Sequence, residues 1–124
     1  MAAGDDIAER LLAFGAASVC LARVLPADPV SRHIALQLVK AATSSGANYE
    51  EARGAESRAD FIHKLGVALK EMKESRYWLR IIQRAFTPSP QGIEPLLQES
   101  GELGAILGRS VITTKQKGRV PMRR

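Results

Sequence analysis

Apolar residues along this chain recur at alternating steps of four and three, the spacing that aligns side chains on one face of an α-helix. Ile7, Leu11, Phe14, Ser18, Leu21 and Leu25 form the first such series. It is predicted to start with Asp6 as N-cap, with Glu9 three residues on reaching back as in a capping box, and to stop at Pro26. The second series is Ile34, Leu38, Ala41, Ser45, Asn48 and Ala52, apolar at first and then small and polar. Asp28 fits its N-cap and Pro29 its first position, where a missing N–H costs nothing, and Gly54 ends or kinks it.

The third series is the longest: Phe61, Leu65, Ala68, Met72, Ser75, Leu79, Ile82 and Phe86. It predicts a helix from about Ser57 to Phe86, about 45 Å long at 1.5 Å per residue. A fourth helix is expected from about Glu94, with Pro95 at its first position, to about Lys115. Its buried side would hold Leu96, Leu97, Leu103, Ile106, Leu107, Ser110 and Val111. Gly101, Gly104 and Gly108 weaken it unless they allow close packing. Pro26 and Pro29, and then Pro88, Pro90, Gly92 and Pro95, punctuate the chain between helices, and no strand pattern competes. Four helices with near-heptad stripes and short loops imply an all-α, antiparallel up-down-up-down four-helix bundle.

The third helix carries a second stripe on another side: Val67, Glu71, Glu74, Trp78, Ile81 and Ala85. A bundle helix needs only one apolar face, so Trp78, Ile81 and Val67 imply either a wide buried arc or a packing contact between subunits. Glu71 and Glu74 within that stripe would need partners. The second helix offers Ser44, Ser45, Asn48 and Glu51 near one face. Two readings stand: solvated carboxylates, or a structural polar network of Ser44, Asn48, Glu51, Glu71 and Glu74, with Tyr77 as a further donor, that fixes helix register.

Composition changes the picture mainly through charge. Of 124 residues, 18 are Lys or Arg and 13 are Asp or Glu, giving a net charge of +5. All acids precede residue 115, as do thirteen of the bases, so residues 1–114 are neutral. The excess is Lys115, Lys117, Arg119, Arg123 and Arg124, which predicts a bundle domain over 1–114 and a basic, flexible tail over 115–124. Arg76, Arg80 and Arg84 add a ridge at one-turn spacing on the third helix. The ridge and tail suit nucleic-acid phosphates, though solvated bases or a roleless tail account for them too.

Chemistry-bearing patterns are sparse. Asp60-x-x-His63 is the one near match to the Glu-x-x-His element of a di-iron bundle, and Val30 stands three residues before His33. His63 is expected to be solvated. No metal or cofactor is expected, although a small metal- or ligand-binding bundle using Glu51, Glu71 and Glu74 is the alternative to a non-enzymatic protein. One cysteine, Cys20, excludes an internal disulfide, and Gly15, Ala16, Ala17 and Ser18 before it suggest a buried, inert thiol. The single thiol, the acids in MAAGDDIAER where a secretory signal carries bases, and the lack of a long apolar run point to the cytoplasm and away from membranes.

Residues 38–85 resemble a small family of four-helix bundle proteins first associated with intervening sequences in bacterial 23S ribosomal RNA genes. The matching pattern is Ser44, Asn48 and Glu51, then Phe61-Ile62 and the block Ala68-Leu69-Lys70-Glu71, Glu74 and Tyr77-Trp78-Leu79. That family also looks related to the accessory proteins of diversity-generating retroelements, which bind a reverse transcriptase. The resemblance implies a cytosolic bundle without enzymatic activity that assembles as a ring-like homopentamer. It also implies a shared role for Asn48, Glu51, Glu71, Glu74 and Trp78; a terminus such as VPMRR is not part of the pattern. The expected function is an oligomeric scaffold or adaptor whose partners are itself and RNA, DNA or a reverse transcriptase-like protein.

Overall fold

The computed structural model describes residues 4–119, which form four helices: α1 (Asp5–Arg23), α2 (Pro29–Arg53), α3 (Arg58–Ala85) and α4 (Ile93–Arg119). Among the described residues there is no strand. Each helix packs against its neighbours in chain order, and α4 returns to α1, the pair that meets least extensively.

Two of the helix starts follow directly from capping chemistry. Asp28 accepts the backbone N–H of Ser31 at 3.0 Å and its hydroxyl at 2.7 Å, and Pro29 opens α2 behind it. Ser57 accepts the N–H of Asp60 at 3.1 Å and starts α3. Gly54 ends α2 as expected.

α1 departs from expectation. Its N-cap is Gly4, at φ 91°, and Asp6 lies with Asp5 in the first turn, where both carboxylates face the positive end of the helix dipole. Any larger residue at Gly4 would be strained in that left-handed conformation, and its Cβ would sit 2.8 Å from the Tyr49 hydroxyl. α4 is longer than expected at both ends. Gly92, also at φ 91°, turns the chain into Ile93, and Pro95 becomes the third residue of the helix. A proline costs no hydrogen bond there, because the first four N–H groups of a helix have no internal acceptor. At the far end the helix continues to Arg119, so Lys115 and Lys117 are helical residues. Arg123 and Arg124, and the side chain of Arg119, lie outside the described residues.

The four seams meet as the core. Leu11, Phe14, Leu21, Leu38, Ala42, Leu65, Ala68, Met72, Leu79, Ile82, Leu103 and Leu107 are buried together. The expected seam of α3 is buried from Leu65 to Ile82, with Phe61 and Phe86 half-buried at its ends. On α4, Ile93, Leu96, Ser100, Leu103 and Leu107 are buried, while Leu97, Ile106, Ser110 and Val111 are half-buried.

Polar contacts tie particular helix segments together. The end of α2 meets the start of α1 through Arg53 and Asp5. The start of α3 meets the end of α4, where Arg58 Nη1 donates to the Thr114 carbonyl at 3.2 Å. Across the middle, the Ser45 hydroxyl donates to the Ala68 carbonyl at 2.7 Å, a fully buried α2–α3 bond. Arg10 donates bidentately to Glu99 at 2.6 and 2.9 Å and also reaches Glu102 at 3.0 Å, clamping α1 to α4. The hydrogen bond with Glu99, above all, raises the Arg10 pKa beyond its ordinary value, while Gln98 and Arg10 hold the Glu102 carboxyl below the usual carboxylate range.

Candidate functional site

The polar residues expected on α2 and α3 do not close into one network. Asn48 donates to its own helix, to the Ser44 carbonyl at 2.9 Å and the Ser44 hydroxyl at 3.2 Å. Glu51 is taken by Lys64 at 2.6 Å, which raises the lysine pKa, and Glu74 accepts the Trp78 indole N–H at 3.2 Å. Glu71 is half-buried and supplies only its backbone carbonyl, which accepts from Ser75 at 2.8 Å. Within the set Asn48 and Ser44 meet on α2, while Glu51 and Glu74 bond outside it, to Lys64 and to the Trp78 indole.

The same geometry does not support the metal-binding alternative. Lys64 occupies Glu51 and the indole occupies Glu74. Among the described residues no three His, Cys, Asp or Glu side chains gather as a ligand set. His63 is exposed, in keeping with its solvated reading.

α3 packs most extensively on α2, and Trp78 of its second stripe meets that helix. Val67, Glu71, Glu74, Trp78 and Ile81 are all half-buried, and Trp78 packs on the core. The His33 ring of α2 and the Tyr77 ring each meet the Trp78 ring edge to face, at centroid distances of 6.0 and 5.3 Å. A wide buried arc within one chain therefore accounts for most of the stripe. What stays uncovered is a patch around it: Val30, Leu36 and Tyr77 are 70%, 62% and 56% exposed.

The basic ridge divides. Arg76, though exposed, is held to α4: Nη1 donates to the Leu97 carbonyl at 3.1 Å across Gly101, where a Cβ would stand only 2.6 Å from that nitrogen. Arg80 and Arg84 are exposed, as are Arg109, Lys115 and Lys117 on α4.

Two features escaped the sequence reading, and both are on α1. Cys20, expected to be buried, is exposed, because it falls between the seam positions Ser18 and Leu21 and turns to the outer side. With it lie exposed Leu12, Ala13, Ala16, Ala17 and Val24. The signal was present: residues 11–22 contain no charged side chain, so this helix is apolar on both faces. An open groove of about 1000 Å³ runs between α1 and α4, past Phe14, Ala17, Cys20, Val24, Pro95 and Leu96. A second, of about 400 Å³, lies between α1 and α2.

These features define a four-helix bundle whose distinctive surfaces are apolar and basic patches. The chain belongs to the 23S rRNA-intervening sequence protein family, whose model matches residues 7–109. It is similar to a solved protein of unknown function from the S23 ribosomal protein family of Bacteroides thetaiotaomicron. The two share 33% identity and a TM-score of 0.77, over 85% of this chain and 97% of that one. No curated protein matches. Among the described residues no helix is long and apolar enough to cross a membrane.

Proposed function

We propose that this chain is a non-enzymatic scaffold, an antiparallel bundle that assembles as a homopentamer and offers its uncompensated bases to RNA or DNA. The observation that carries the reading is the charge of α4: after Glu102 the sequence holds Arg109, Lys115, Lys117 and Arg119 and no acid, and the first three side chains are exposed. Self-association is supported by the exposed patch of Val30, Leu36 and Tyr77 beside Trp78, and by the assembly that the family resemblance implies. Repetition of the basic segment around one axis turns weak phosphate contacts into avid ones.

The test titrates full-length protein with single-stranded RNA and with single-stranded DNA at 50 and 200 mM salt. A second preparation has Lys115, Lys117, Arg119, Arg123 and Arg124 replaced by Gln. Binding at low salt should weaken at least ~10-fold at high salt, and the Gln variant should bind more weakly with a shallower salt slope. No binding at 50 mM, or binding indifferent to the five substitutions, overturns the nucleic-acid reading. Capture of a nucleic-acid-processing protein such as a reverse transcriptase, without direct nucleic-acid binding, would move the role to an adaptor. A light-scattering mass near 13.5 kDa overturns the assembly.

A further inference from the structure

We infer that the outer face of α1 is the surface on which one copy of this chain receives the next, its counterpart being the α2–α3 patch around Leu36 and Tyr77. The inference rests on the self-association reading above and names the two halves of that contact.

α1 is the helix that the fold explains least. Its seam is buried in the core, yet Leu12 and Val24 are 66% and 71% exposed on its other side, with Ala13, Ala16 and Cys20 exposed between them. A helix that is apolar all round belongs in an interior, and the grooves on either side of α1 widen the apolar surface to both neighbouring helices. Small residues at 13, 16 and 20 let a partner's side chains approach the backbone, while Leu12 and Val24 project.

Charge indicates the occupant. Acids outnumber bases at the foot of this face, where Asp5, Asp6, Glu9 and, across the α1–α2 groove, Glu50 stand with Arg10 and Arg53, while Arg23 is exposed at the far end of α1. Bases stand beside the other patch, where Arg32 and Lys40 flank Leu36 on α2. Apolar centres edged by opposite signs favour contact between the two different faces over contact of either with itself. An assembly that closes around an odd-numbered axis requires just such a two-faced contact, because a same-face contact stops at a pair. The acids also disfavour an anionic lipid surface as the occupant.

The test is complementation between two folded variants of the full chain. One blocks the α1 face with Leu12→Lys and Ala16→Lys; the other blocks the α2–α3 patch with Leu36→Glu and Tyr77→Glu. Circular dichroism checks that each is helical, and Val24→Lys replaces the first variant if it unfolds. Wild type should be oligomeric and each variant a monomer, and an equimolar mixture should form a one-to-one dimer, since one native contact survives between them. Cys20 should react with a thiol reagent at least ~10-fold faster in the α1-face monomer than in wild type. Wild type oligomeric with the α1 variant unchanged in mass, or two monomers that do not combine, overturns the inference and leaves self-association standing. A monomeric wild type overturns both.

Discussion

Serine replaced by alanine at three buried positions should change stability in three different ways, although the chemical change is the same each time. Ser18, Ser45 and Ser75 are all fully buried, one on each of α1, α2 and α3. Ser45 donates across the helix interface to Ala68 at 2.7 Å, Ser75 donates within its own helix to Glu71 at 2.8 Å, and the Ser18 hydroxyl has no partner among the described residues. Alanine favours the helix by the same few tenths of a kcal/mol at each site, so that contribution cancels in the comparison. Removing the cross-helix bond should cost about 1 kcal/mol, whereas removing an unpaired buried hydroxyl should gain about 1 kcal/mol or more. Ser75→Ala falls between, because its bond only supplements a carbonyl already inside a helix. Ser18→Ala and Ser45→Ala should therefore differ by about 2 kcal/mol. That corresponds to a Tm separation of roughly 5–10 °C for a chain of this size. The assay is urea and thermal unfolding of the three variants at one fixed protein concentration, because self-association would otherwise move the midpoints. Equal losses at positions 18 and 45 would refute the reasoning. So would destabilisation by Ser18→Ala alone, which would mean that its hydroxyl is bonded.

Three further outcomes follow from the contacts between helices. Gly101→Ala should stabilise more when Arg76 is already alanine than in wild type, because the new Cβ displaces the guanidinium from the Leu97 carbonyl; a double-mutant cycle measured by denaturation reads this coupling. Arg10→Lys should lower stability by up to about 1 kcal/mol, since an ammonium keeps the charge but not the fork that grips Glu99, and the loss should shrink in high salt. Asp28 is held below the ordinary carboxylate range by the Ser31 N–H and hydroxyl, as Glu102 is by Gln98 and Arg10. A lowered folded-state pKa means stabilisation that is complete above the unfolded value near ~4 and is lost as pH falls through the folded value. Unfolding midpoints measured from pH 6 down to 2 should fall accordingly, and Asp28→Asn should flatten the acid limb.

The local grammar of the bundle was legible in the sequence. Asp28-Pro29 and Ser57 mark helix starts because capping needs only the residues within one turn. The seam from Leu65 to Ile82 could be read because the period of a helix is fixed by its own backbone. Asp6 failed as a cap because Gly4, with its positive φ, opens the helix earlier beneath Tyr49, which is far away in sequence. Of the polar set Ser44, Asn48, Glu51, Glu71 and Glu74, Asn48 and Ser44 became partners, within one helix, and no bond joins the α2 members to Glu71 or Glu74 among the described residues. Lys64 and the Trp78 indole took two of its carboxylates before they could meet the others.

By itself, then, the sequence determined the four helices, which side of each turns inward, and the confinement of excess charge to the chain's last ten residues. Periodicity specifies directions around a helix axis, and those directions are set by local backbone geometry. It does not specify which neighbour lies in a given direction. Only the tertiary structure decided that Trp78 of the second α3 stripe meets His33 of α2, that Arg76 reaches the backbone of α4, and that Lys115 and Lys117 ride on a helix. The outer face of α1 is where this matters most: its apolar run is plain in the sequence, but its exposure follows from α2 and α4 flanking that helix without covering it.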